Sequence, residues 1–257
     1  MKPNVLQAGG ELKGQPASTL TAEQAIQRTG LRNVILAGRL EINEESLAAM
    51  PSAERVICKW SLHKNMPEGH AELRIEGCSE RLLAAKRLAL NDRRVEGFLV
   101  DDFSTGTMKA GINSQHLAAF QYLNATTRPP LPLLGTIYTM SLEQPGLADL
   151  LRYFDQLVVP LWHAPEIDSL PQRLDRCAEL SGNKPILVCL YFYDFGNSAL
   201  IPRAMMQQHL DVVERLLRAR RITGVVFCGS CMLDLGWEST ECLFKWIERV
   251  GDDRIES

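Results

Sequence analysis

Short apolar runs alternate with helical patterns from one end of the chain to the other. The runs fall at residues 33–38 (NVILAG), 55–60 (RVICKW), 95–101 (VEGFLVD), 133–138 (LLGTIY), 157–162 (LVVPLW), 185–193 (PILVCLYFY) and 223–228 (TGVVFC), with a weaker one at 4–8. Near-continuous apolarity over so few residues is the signature of a strand covered on both faces, as in a parallel sheet wrapped by helices. Between the runs lie the helices. Thr21 and Gln24 are spaced as a capping box at the start of the first. Residues 43–50 make a short helix stopped by Pro51. Polar residues at 61–77 read as a long loop, and 79–91 (SERLLAAKRLALN) as a strong Ala/Leu-rich helix. Further helices are predicted at 114–124, 147–153, 167–180, 203–220 and 238–250, with Ser181-Gly182-Asn183 ending the third of these.

Strand-to-strand spacing is about 25 to 40 residues, the size of a βαβ unit. Eight such units predict a closed, single-domain (β/α)8 barrel over residues 1–257, a length close to the usual ~250 residues of that fold. If residues 4–8 were not a strand, an open doubly wound sheet would be the alternative. No linker-like stretch divides the chain.

Composition narrows the function classes. The balance of 46% hydrophobic and 23% charged residues is that of a globular protein, and the net charge of −3 gives no basic face for nucleic acid or an anionic membrane. Seven scattered cysteines do not form a disulfide framework, and the start of the chain has no apolar signal core, so a cytoplasmic protein with reduced thiols is expected. Neither a Gly-rich dinucleotide fingerprint nor a Walker sequence occurs, and metal-ligand spacings are missing, so no cofactor and no metal are expected. Cys228-Gly-Ser-Cys231 has the spacing of a redox dithiol, but it follows a barrel strand instead of opening a thioredoxin-type helix, and a structural role is expected.

The chemistry of a β/α barrel sits where its strands end. Here the strand ends carry Lys59-Trp60, Asp101-Asp102, Tyr138, Trp162-His163 and Tyr191 to Asp194. Side chains alternate along a strand, so Leu99 and Asp101 share one face and Phe98 and Val100 the other; if the latter pack on helices, Asp101 points into the barrel mouth. The ordinary alternative is an aspartate that caps its loop or pairs with an arginine. Asp101, Asp102 and Asp194 are the candidate catalytic carboxylates, with Glu166 in reserve. Trp60, Tyr138, Trp162, His163, Tyr191 and Tyr193 are candidate ligand-binding residues, although any one of the aromatics would serve equally well as core. Lys59 would suit a Schiff base if burial lowered its pKa.

Residues 95–103 (VEGFLVDDF) resemble the fourth strand of glycoside-hydrolase-like TIM-barrel proteins, and Leu161-Trp162, residues 191–197 (YFYDFGN) and residues 224–227 (GVVF) are similar to a bacterial set grouped near those hydrolases. The likeness runs from about residue 33 onward, on short motifs. It implies a carbohydrate-active barrel acting on a small saccharide. The chain departs from many barrel glycosidases in ending strand four on Asp-Asp instead of Asn-Glu and in lacking a glutamate on strand seven. Three readings follow. One is a glycoside hydrolase with the strand-four aspartates and Asp194 as its carboxylates. The others are a saccharide or polar-ligand binder without turnover, and a Lys59 lyase or aldolase.

Overall fold

A computed structural model describes residues 4–8, 18–37, 41–61, 71–105 and 111–250. Eight parallel strands close on themselves: β1 (Asn4–Ala8), β2 (Asn33–Leu36), β3 (Arg55–Ser61), β4 (Val95–Asp101), β5 (Leu133–Thr136), β6 (Gln156–Pro160), β7 (Ile186–Tyr191) and β10 (Gly224–Cys228). Each pairs with its sequence neighbours, and β1 pairs with both β2 and β10 to complete the ring. The weak first run is therefore a strand, and the open-sheet alternative falls. A two-stranded antiparallel ribbon, β8 (Tyr193–Asp194) with β9 (Ala199–Leu200), follows β7.

Around the ring lie α1 (Ala22–Thr29), α2 (Glu44–Ala48), α3 (Ala71–Asn91), α4 (Ser114–Thr126), α5 (Leu147–Leu151), α6 (Leu170–Ser181), α7 (Arg203–Arg218) and α8 (Glu238–Val250). The Thr21–Gln24 capping box forms in both directions, and Gly30 closes α1 in the left-handed region with φ 67°. The helix α3 begins eight residues earlier than the sequence pattern suggested. Ala71, Arg74 and Cys78 are buried at i, i+3 and i+7, so the core-facing stripe continues through the Gly77 that had read as loop. Among the described residues no helix is long and apolar enough to cross a membrane.

Strand alternation sorts the core into two. Val5, Ile35, Leu99, Leu134, Val158, Leu187, Cys189, Val226 and Cys228 fill the barrel interior, with Ile57 and Tyr191 against them. The opposite parity, including Leu6, Val34, Val56, Phe98, Val100, Leu133, Val159, Val188 and Phe227, packs under the helices. Both faces of every strand are thus apolar, which is why the strands read as unbroken runs.

Candidate active site

The interior parity continues upward into polar residues at the C-terminal ends of the strands. Lys59 follows Ile57, Asp101 follows Leu99, Thr136 follows Leu134, and Gln7 follows Val5. They meet. Lys59 Nζ lies 2.6 Å from Asp101 Oδ2, both side chains 15% exposed, and donates to Gln7 Oε1 at 3.2 Å. Thr136 donates to the other oxygen of Asp101 at 2.9 Å. Burial alone would push the Lys59 pKa down, but the charge of Asp101 and its hydrogen bond, with the charge of Asp102, outweigh it, and the net shift is upward. An amine held charged is the opposite of what a Schiff-base nucleophile needs.

Simple alternation would turn Asp102 away from Asp101. Instead Asp102 sits in the left-handed region, φ 53°, a conformation Asp tolerates better than most residues. That local twist brings its carboxylate between the ends of β3 and β5. Ser61 donates to Oδ2 at 2.8 Å and the Tyr138 hydroxyl to Oδ1 at 2.7 Å. Tyr138 is anchored by its own N–H, which donates to Ser104 Oγ at 3.0 Å, and its hydroxyl takes a hydrogen bond from Tyr191. Burial raises the Asp102 pKa and the Asp101 charge adds to that; Tyr138, Ser61 and Lys59 offset it only in part. Burial, reinforced by the two aspartates, likewise raises Tyr138. Tyr191 is raised well above its ordinary range, first by burial, so both phenols are neutral donors.

An aromatic wall stands beside the carboxylates. Trp162 meets Tyr138 edge-on at 5.5 Å and Tyr191 edge-on at 6.1 Å between ring centroids, and Phe195 stacks on it at 5.5 Å and 23°. Tyr191 and Phe195 are in contact at 4.8 Å. Tyr193 lies behind, between Phe195 and Trp237.

Of the residues singled out in the sequence, Lys59, Asp101, Asp102, Tyr138, Trp162 and Tyr191 converge on this mouth. Three others do not. Trp60 has the outward parity of β3 and packs beneath the Arg81 guanidinium of α3, 4.9 Å from its ring centroid. Glu166 pairs with Arg173 at 3.3 Å on the turn that leads into α6. Asp194 is folded onto its own loop: Oδ1 accepts from Asn197 N at 3.0 Å and Oδ2 from Asn197 Nδ2 at 2.8 Å. Its charge also raises the pKa of His209 of α7, against the larger downward effect of burial. His163 flanks the site, its ring pressed on Gly196. Gln7, Ser61 and Thr136 were legible by extending each strand's inward parity to its end; Phe195, in a tight loop, had no periodic signal. Cys228 faces Cys189 inside the barrel and Cys231 lies on the following turn; all described cysteines are free thiols. Among the described residues no three His, Cys, Asp or Glu side chains gather as a metal site.

The closed ring of eight parallel strands wrapped by helices defines the fold as a (β/α)8 barrel. A chitinase from Bacteroides thetaiotaomicron superposes over 100% of both chains with TM-score 0.61 and 10% identity. An active-site mutant of the Rhizomucor miehei β-1,3-glucanosyltransferase, in complex with laminaritriose, covers 87% of this chain and 86% of its own with TM-score 0.56 and 13% identity. The FMN-binding β-glucuronidase from Facaelibacterium prausnitzii L2-6 covers 88% of this chain with TM-score 0.59 and 9% identity, and this chain spans 37% of its length. At such identities the likeness is one of fold. No family model and no curated protein matches the sequence.

Proposed function

We propose that this barrel acts on a saccharide, and that it is a glycoside hydrolase whose proton donor is Asp102. The observation that carries the reading is the pair of adjacent carboxylates at the end of β4 in unlike surroundings. Asp101 is ion-paired to Lys59, whereas Asp102 is biased toward its protonated form. Glycoside cleavage needs one carboxyl that keeps a proton for the leaving oxygen and negative charge close to the oxocarbenium-like centre. Asp102 suits the first role and Asp101 the second. The rings of Trp162 and Phe195 offer an apolar face to the C–H side of a sugar, and the fold likeness to saccharide-acting enzymes agrees with this.

The test is a panel of p-nitrophenyl glycosides assayed with the wild type and Asp102→Asn. At least one glycoside should be cleaved, and the substitution should lower kcat by about 100-fold or more, the usual range for a lost general acid. Full activity in Asp102→Asn would remove it from the mechanism.

A second reading, saccharide binding without turnover, has one observation in its favour. The inward position at the end of β7 is held by Tyr191, not by a carboxylate. It predicts that saccharides raise the melting temperature while every glycoside in the panel stays intact.

A further inference from the structure

We propose that Asp194 is a positioning residue, and that with Gly196 and Asn197 it forms a clasp that holds Phe195 against Trp162, making Phe195 a ligand-contacting residue of the aromatic wall. The inference rests on the reading of the mouth as a saccharide site and names the device that shapes it.

Four observations within one short loop point the same way. Both oxygens of Asp194, a residue only 5% exposed, accept from Asn197, which closes the turn over Phe195 and Gly196. The N–H of Gly196 donates to the carbonyl of Trp162 at 3.0 Å, so the β7 loop is bonded to the backbone that carries the tryptophan. A Cβ at Gly196 would lie 2.0 Å from Nδ1 of the His163 ring, a contact no side chain could make, so the approach of the two loops requires a glycine. Phe195, between these ties, lies near-parallel to Trp162 and edge-on to Tyr191. The base of the loop is fixed as well, by Ser239 of α8 donating to the Phe192 carbonyl at 2.8 Å. A carboxylate with both oxygens engaged by its own loop is built to hold geometry. Proton exchange with a substrate at the mouth would require breaking that turn.

The claim separates Asp194 from a catalytic carboxylate by substitution chemistry. An Asn at 194 cannot exchange a proton, but its Oδ1 can accept from Asn197 N, and its Nδ2 can donate to a turned Asn197 amide. Asp194→Ala keeps neither bond. Gly196→Ala opens the same contact from the other side without touching a carboxylate. We expect Asp194→Ala and Gly196→Ala each to raise KM for the best p-nitrophenyl glycoside by about 10-fold, roughly the worth of one or two lost hydrogen bonds, with kcat within a few-fold and the pH profile unmoved. The double variant should be no worse than either single, because both break one device. Asp194→Asn should return KM to near the wild-type value. A large loss of kcat in Asp194→Asn, with KM unchanged or one limb of the pH profile gone, would make Asp194 a proton-transfer group and overturn the proposal.

A readout independent of turnover is the 19F spectrum of protein labelled with 5-fluorotryptophan, the Trp162 resonance being assigned through Trp162→Phe. Asp194→Ala and Gly196→Ala should shift that resonance and Asp194→Asn should not; an unmoved resonance in Gly196→Ala overturns the clasp. If the wild type cleaves no glycoside, the hydrolase reading fails while this spectrum still decides the clasp.

Discussion

Lys59 is the residue on which the polar mouth turns. It is the one described cation in direct contact with the strand-four carboxylates, and it is held from below by Gln7. Removing one member of a well-buried ion pair leaves the other uncompensated, a change that costs about 3–5 kcal/mol. Lys59→Met should therefore lower the urea-unfolding free energy by about that amount, and Lys59→Met with Asp101→Asn should recover part of it; additive losses would show that the two side chains do not interact. Because the Lys59 amine is kept charged, borohydride with carbonyl compounds should leave its mass unchanged, and a reduced adduct on Lys59 would revive the lyase reading.

His209 sets a different condition, one of pH. It is 1% exposed, its Nε2–H donates to the Ala164 carbonyl at 2.8 Å, and Nδ1 is buried without a partner. Burial lowers its pKa in the folded state; the Ala164 bond and the Asp194 charge offset this only in part. A base whose folded pKa lies below its unfolded value, about 6.5, contributes stability above that value and loses it as pH falls through 6.5 toward the folded pKa. Asp102 has the opposite sign, since a carboxyl raised by folding favours the folded state as pH falls into its titration range. Comparing unfolding free energies of the wild type and His209→Gln at pH 7.5 and 5 isolates the histidine. The variant should lose less stability on acidification than the wild type, and equal losses would show that His209 does not carry this dependence.

At the scale of elements, the parts legible in the sequence were those governed by one periodicity. All eight strands followed from unbroken apolar runs, because each strand is apolar on both faces until its last residues, and the inward parity of Asp101 followed from alternation within β4. Asp102 did not follow, because its left-handed backbone breaks the alternation at the point where the chemistry begins. The ribbon after β7 did not follow either, since its turn is held by side-chain bonds across three residues instead of by a hydrophobic repeat. Lys86 of α3 is another such case, a charged residue within an Ala/Leu-rich helix whose pattern does not show its partners. It is 2% exposed, and its ammonium donates to the carbonyls of Asn124, Thr127 and Pro129 at 2.7, 2.8 and 2.7 Å, capping the end of α4 and the turn beyond it. A buried ammonium has three protons to place, and here the chain end of a neighbouring helix supplies three acceptors. Lys86→Met should cost about 2–4 kcal/mol, because three carbonyls lose a charged donor together. Thermal or urea unfolding checks it, and a loss under 1 kcal/mol would mean that water replaces the lysine there.

At the scale of the molecule, closure of the barrel and assembly of the site meet in β1. Its five residues pair with β2 on one side and β10 on the other, so they alone remove two sheet edges. Along the strand, Val5 enters the inner core, Leu6 the outer core, and Gln7 reaches Lys59. A ring of strands has no independent half: opening one seam exposes both cores and frees the support of the Lys59–Asp101 pair at once. Leu6 is fully buried, and Leu6→Ala should cost about 2–5 kcal/mol from lost burial and the cavity left behind. In a closed ring that loss is shared by every element. Far-UV circular dichroism, which follows the helices, and tryptophan fluorescence, which follows the four tryptophans, among them Trp162 at the mouth and Trp246 on the buried face of α8, should therefore report one coincident transition moved to lower urea with an unchanged slope. If the two signals separate in Leu6→Ala, the β1 seam opens ahead of the rest and the barrel is not one cooperative unit. Since Leu6 faces away from the mouth, saccharide binding at temperatures well below the transition should match the wild type, whereas Gln7→Leu, with nearly normal stability, should weaken it through Lys59.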